Sequence, residues 1–395
     1  MFDYTRRIMD TGIDFDPQMI FDHPDPYPMF AMMRASTPVL RIEFLGRVAV
    51  SVSKYDDCVA VLKDHETFSS KSNFEVGKVM GRTLIEMDGK EHTRHRMLVQ
   101  QVFAPKNLEK LEPVFETMVH EIIDGFATRP TAELVTDFTE RFPVQVMAHL
   151  VGIPRKDYPQ FQAWALDIIG FPKDLPKGLA AAEAIREYLL PIIAERRAHP
   201  LDDVISKLVT GTVDGEGLTG DEVVSFLRLL IPAGAETTFK ILGNLFVALL
   251  SDREARYERV RADRTLVPWA LEETLRWETS VLMTSRQATR DVELRGVEIP
   301  AGMNISVMNA SGNRDEEHYP NPDLYDLDRR ADDHLGFGFG RHHCLGYHLA
   351  RMEVRIALNA ILDRLPKLRL DPAAPPPQIL GLAFRAPKRV DARID

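Results

Sequence analysis

Between Thr219 and Leu249 runs a helical pattern of about 30 residues, roughly 45 Å at 1.5 Å per residue. That single element sets the scale of anything the chain can fold into. Thr219 and Glu222 stand in the Thr-x-x-Glu spacing of a capping box. Apolar residues follow at Phe226, Leu229, Leu230 and Ile231, and resume at Ile241, Leu242, Leu245, Phe246 and Leu249. Such a helix must cross a whole domain and be buried for much of its length. Its middle is anomalous. Pro232 removes one backbone hydrogen bond and is expected to bend the helix, and Gly234 weakens the same turn. An acid and two hydroxyls, Glu236, Thr237 and Thr238, come directly after.

The rest of the pattern is mainly helical with a minor β portion. One helix is expected just after Cys344, with an apolar stripe through Leu345, Leu349, Met352, Ile356, Leu358, Ile361 and Leu362; another covers Val267 to Trp277. A hairpin is expected from Val39 to Ser53, with Val48, Val50 and Val52 alternating and Leu45-Gly46 as its turn. Strand-like stretches lie around Val292 to Met308, and Pro372 to Pro377 reads as a loop. This places the β-rich part mainly at 38–53 and 290–310 of one domain, 1–395, with no linker or repeat.

Of the 395 residues, 45% are hydrophobic and 27% charged, which is enough for a large ordered core. The net charge of −10 argues against nucleic acid or an anionic membrane as partner. Residues 1–17 carry Asp3, Asp10, Asp14 and Asp16 and no apolar stretch, so neither a signal peptide nor a membrane anchor is expected. Two cysteines, Cys58 and Cys344, exclude a disulfide scaffold and a cysteine-based zinc site, and fit a reducing cytoplasm.

The segment Phe337-Gly338-Phe339-Gly340-Arg341-His342-His343-Cys344-Leu345-Gly346 is the most informative. Glycines permit tight turns and close approach of a flat ligand. A thiolate before a helix is favoured by the exposed amides and the dipole. One cysteine without other soft ligands suits an axial thiolate on heme iron; a buried structural thiol beside a glycine turn is the plainer alternative. Cys58, among Val59, Val61 and Leu62, reads as core.

This segment resembles the heme-binding signature Phe-Gly-x-Gly-x-His-x-Cys-x-Gly of the cytochrome P-450 family at every fixed position, and the resemblance extends from Asp25-Pro26-Tyr27-Pro28 to the helix after Cys344. It implies a triangular α-rich body with small β-sheets and heme b between the long central helix and the cysteine-loop helix. Glu273 and Arg276 match the family's structural Glu-x-x-Arg, with Arg329 as the third member. Ala233-Gly234-Ala235-Glu236-Thr237 resembles the oxygen-activating stretch, implying that Ala233 and Gly234 lie along the heme and that Glu236 and Thr237 are catalytic. His92, Arg96, Arg286 and His342 are the implied propionate partners. Phe337, Gly338 and Gly346 belong to the cofactor loop, with Cys344 the iron ligand. Pro232, where many members carry an aliphatic residue, and Gly312 in Gly312-Asn313-Arg314-Asp315 depart from the usual pattern.

The implied activity is monooxygenation: one atom of O2 enters a C–H bond of a small hydrophobic substrate such as a terpenoid, steroid or aromatic compound. Electrons come from NAD(P)H through a ferredoxin and its reductase. A peroxide-driven peroxygenase and a heme-based sensor without turnover are the alternatives. Family position places Phe74, Val76, Met80, Leu230, Ala233, Val281, Leu282, Met283 and Leu382 at the substrate pocket. Lys78 and Arg82 are either substrate contacts or exposed loop charges. Ferredoxin would dock near Arg341, His343 and Arg351. The protein is expected to be a cytoplasmic monomer.

Overall fold

The computed structural model describes residues 22–44, 47–171 and 174–395. The Leu45-Gly46 turn and the reading of residues 1–17 lie outside the described residues.

The long helix spans Gly220–Ser251, and both halves of its capping box are formed: Glu222 N–H bonds the Thr219 hydroxyl, and the Glu222 carboxylate accepts from Thr219 N–H. It passes through Pro232 without interruption. Its neighbours explain why. The helix Arg141–Val151 crosses it, and Leu175–Ala198, Val267–Trp277 and Tyr347–Arg364 pack around it. From Ile241 to Leu250 every residue is buried, so tertiary packing outweighs the proline's local cost. This helix is apolar and long enough to cross a membrane by composition alone, but here it is the axis of the core.

Val267–Trp277 coincides with its expected bounds. The helix after the cysteine begins at Tyr347, so Leu345 stays in the loop. The hairpin pairs Val39–Phe44 with Arg47–Val52, Val39 opposite Val52 and Arg41 opposite Val50. Val50 and Val52 face the core; Val48, near the tip, is exposed.

The β portion reaches beyond 38–53 and 290–310. In the five-stranded sheet, Arg47–Val52 pairs parallel with Asn304–Val307, which pairs antiparallel with Thr284–Ala288, flanked by Phe68–Ser69. The Thr284–Ala288 strand escapes the sequence pattern because Ser285, Arg286 and Gln287 are polar. Short pairs also form at 131–133, 369–370 and 391–393, and at 379–380 with 386–387. Only two or three residues long, they carry too little alternation to be read from sequence.

The expected Glu–Arg–Arg lock is present. Arg276 makes a bidentate pair with Glu273 (2.8 and 2.7 Å), and Arg329 Nε donates to the same carboxylate at 3.2 Å. The remaining Arg276 protons go to the carbonyls of Asn313, Pro322 and Leu324. Arg276 is fully buried. Its removal would strip Glu273 of its bidentate partner, leaving it Arg329 and the Asp326 N–H, and would take a buried donor from the Asn313 and Pro322 carbonyls, so Arg276→Ala should cost about 3–5 kcal/mol. Chemical unfolding of the purified variant measures this, and a cost under about 1 kcal/mol would refute the assignment.

Candidate functional site

The cysteine loop is built by three short-range devices. Cys344 N–H closes it on the Phe337 carbonyl at 2.9 Å. Gly338 and Gly340 take φ of +69° and +71°, the left-handed region. A Cβ on Gly340 would lie 2.5 Å from the Leu62 carbonyl oxygen, so only glycine fits. The Gly346 N–H lies on the sulfur's side of the loop and favours its charged form. Burial pushes the Cys344 thiol up; that N–H, then the charges of Arg96 and Arg351, pull against it. A sulfur with an amide donor and two guanidinium groups nearby is prepared to be a thiolate once a metal compensates for its burial.

The loop is anchored to the Glu–Arg helix by residues that sequence reading passed over. Glu272 accepts a bidentate pair from Arg351 (2.6 and 2.7 Å) and contacts His334 Nε2 at 2.9 Å; His334 Nδ1 in turn accepts from Gly336 N–H. Asn313 Oδ1 accepts from Leu335 N–H at 2.6 Å. The only sequence signals were adjacency, Glu272 next to Glu273 and His334 just before the glycine run. Arg351 also lies over the Phe337 ring at 4.7 Å.

The four expected anion partners converge from three elements. His92 and Arg96 lie on the helix Gly89–Gln100, Arg286 on the strand Thr284–Ala288, and His342 in the loop. The His92 and His342 rings are 4.3 Å apart, and Arg96 donates to the His343 carbonyl at 2.9 Å. Arg286 is buried, and its guanidinium donates to the carbonyl of its own neighbour, Ser285, at 2.8 Å. Burial lowers its pKa to about 10. Burial, with the charges of His342, Arg96 and Arg341, pushes His92 down to about 3. His92 Nδ1, His342 Nε2, Asp88 Oδ1 and Ser70 Oγ are buried without a hydrogen-bond partner. His342 and Asp88 are 3.5 Å apart, too far to satisfy either atom. The buried Arg286, the half-buried Arg96 and imidazole nitrogens without partners in one place call for an anion with several oxygens. Two propionates beside a thiolate fit that requirement. Asp88 lies beside this set: it occupies the N-cap position of the Gly89–Gln100 helix without a side-chain capping bond, and its Oδ2 accepts from the Ser69 hydroxyl and Ser70 N–H.

On the central helix, Ala233 is exposed although it sits midway along a buried element, so an open space adjoins it. Thr237, one turn on, is partly exposed, and its hydroxyl donates to the Ala233 carbonyl at 2.7 Å. The Glu236 carboxylate pairs with Lys240 at 3.1 Å, a partner not foreseen from sequence. A Cβ on Gly234 would lie 2.4 Å from Met147 Sδ, so its smallness also accommodates the crossing of helix 141–151.

The pocket candidates separate into groups. Val76, Val281 and Met283 are partly buried. Leu282 and Leu382 are instead packed into a satellite core with Tyr27, Phe30 and Met308. Met80 and Leu230 are buried in the main core. Phe74 begins the helix Phe74–Met80; its side chain lies outside the described residues. Phe384 was missed; it bridges Val281 and is 46% exposed. Arg82 is committed to Glu91 by two bonds of 2.7 and 2.5 Å, which favours the loop-charge reading for it.

Arg341 is held by the Gly89 carbonyl, the Thr93 hydroxyl and His65, and Arg351 by Glu272. Charge reversal at either would therefore disturb the loop itself.

The family model described as Cytochrome P450 matches residues 23–153 and 143–389. The chain is 35% identical over 375 residues to cyclomarin C epoxidase CymV of Salinispora arenicola, covering 89% of this chain and 94% of that one. The solved structure of the polyketide-synthase cytochrome P450 PksS of Bacillus subtilis superposes with a TM-score of 0.87 at 31% identity, covering 94% and 97%. CYP109E1 of Bacillus megaterium, solved with testosterone, gives 0.87 at 31%, covering 94% and 99%. Taken with a loop shaped for an axial thiolate and a buried cationic cradle beside it, these matches mean that the chain belongs to the cytochrome P450 family, as a monooxygenase that binds heme b and draws its electrons from NAD(P)H through a partner.

Proposed function

We propose that this enzyme inserts one oxygen atom of O2 into a C–H bond of a small hydrophobic molecule, a terpenoid, steroid or aromatic compound, with electrons delivered by a ferredoxin and its reductase in the cytoplasm. The bound heme supplies oxygen activation at its iron. Cys344 would hold the iron through its sulfur, whose electron donation would favour oxygen activation. His92, Arg96, Arg286 and His342 neutralise the propionates. Thr237 and Glu236 hold and move the protons that cleavage consumes.

The observation that carries the reading is the partly exposed Glu236–Thr237 turn in an otherwise buried helix. An acid and a hydroxyl there suit dioxygen and supplied protons. A peroxide-driven enzyme or a sensor has no use for them. The apolar character of Val76, Val281, Met283 and Phe384 supports a hydrophobic substrate. So does the testosterone bound to the similar CYP109E1. In this reading ferredoxin docks on the cysteine side, where Arg341 and Arg351, beside His343, contribute positive charge from internally bonded positions.

Titrating the purified heme-loaded protein with steroids, terpenoids and small aromatics should produce low-spin to high-spin shifts of the heme spectrum for at least one of these classes. Shifts confined to charged hydrophilic compounds would overturn the substrate class.

A further inference from the structure

Lys240 stands one helical turn after Glu236, with its ammonium 3.1 Å from the carboxylate. The order Glu then Lys at i,i+4 is the favourable one on a helix. This is not an ordinary surface pair, because the two side chains are only 13% and 16% exposed. Solvent screening therefore weakens the attraction far less than it would at the surface. Lys240 is the one charged group acting on Glu236 among the described residues; burial pushes the carboxyl up and the ammonium opposes it. Lys240 itself is enclosed. The Phe239 ring lies 5.0 Å and the Phe384 ring 6.0 Å from its nitrogen. Glu140, where helix 141–151 begins against the central helix, also feels its charge.

We propose that Lys240 is a positioning residue of proton delivery, holding the Glu236 carboxyl on the turn that carries Thr237. The inference rests on the function proposed above. A carboxylate that gives up and regains a proton in each cycle works best with its pKa near the working pH. Without Lys240, burial alone would act on the Glu236 carboxyl and push it further up; with Lys240, the ammonium opposes that push. Contact with Phe384, the exposed ring beside Val281, also ties this pair to the edge of the substrate pocket.

The test uses the full-length heme-loaded protein and its Lys240→Met and Lys240→Arg variants. Infrared pH titration follows the protonated carboxyl stretch that disappears in Glu236→Gln. Lys240→Met should raise the midpoint by on the order of one pH unit or more, the effect of one close opposite charge. Lys240→Arg should keep it near the parent value. The second readout is hydrogen peroxide released when the reduced, substrate-free protein reoxidises in air. Its pH dependence should move upward with the infrared midpoint in Lys240→Met. An unmoved midpoint would overturn the pairing, and a moved midpoint with an unmoved peroxide profile would reduce Lys240 to a structural role and overturn the proposal. The carboxyl titration does not depend on the proposed chemistry, so its failure is distinct from failure of the functional reading, which the Thr237 variant tests.

Discussion

Cys344→Ser should abolish the red-shifted Soret band of the reduced carbon monoxide complex and, with it, monooxygenase activity. The serine oxygen is a poorer electron donor than a thiolate, so O–O cleavage loses the push that the sulfur provides. The surroundings add to the effect. The Gly346 N–H, Arg96 and Arg351 are arranged around a sulfur that carries charge when metal-bound. A neutral hydroxyl leaves them without their counter-charge. The fold should survive, because the loop is closed by the Cys344 backbone N–H, which serine retains, and by the Glu272, Asn313 and Arg351 contacts. Unfolding midpoint and heme content of the variant separate a lost ligand from a lost fold. A variant that kept the shifted band would refute Cys344 as the ligand.

How much of this was legible in the sequence depends on length scale. The central helix, Val267–Trp277 and the Val39–Val52 hairpin were legible because each repeats its period over several turns or pairs. The Glu273–Arg276–Arg329 lock was legible through spacing and resemblance together. The strand holding Arg286 was not, since its residues are polar and only the sheet around it makes it a strand. Lys240, Glu272 and Asp88 were invisible for a related reason. Each acts through a partner that is either one turn away on a helix, where charge pairs are common, or distant in the chain. Gly234 shows the converse: resemblance assigns the motif position a family role, but its close approach to Met147 on a neighbouring helix could not be read from sequence. Leu282 and Leu382 were apolar, as expected of a pocket, but apolarity alone does not distinguish a lining from a core.

Thr237→Ala should keep the fold and the heme while diverting reducing equivalents from product to hydrogen peroxide. The fold is safe because alanine is the stronger helix former and the lost bond runs only to the Ala233 carbonyl of the same helix. The heme is safe because its ligand and anion partners lie on other elements. What disappears is the one hydroxyl on the partly exposed turn. With its proton on the Ala233 carbonyl, the Thr237 oxygen presents lone pairs to the open space and can accept and hand on a proton or order a water. An alanine methyl does neither. Monooxygenation consumes O2, two electrons, two protons and a C–H substrate to give alcohol and water. Peroxide release consumes the same O2, electrons and protons without breaking the O–O bond. Electron uptake should therefore persist while product per electron falls on the order of 10²-fold, the contribution expected of a positioned acid–base group. Thr237→Ser should restore most of it. Electron consumption, peroxide and product, measured together on any substrate that gives a spin shift, decide the matter. Unchanged product per electron in Thr237→Ala would mean that protons reach the site by a route that bypasses this turn, and the role assigned to Glu236 would fall with that of Thr237.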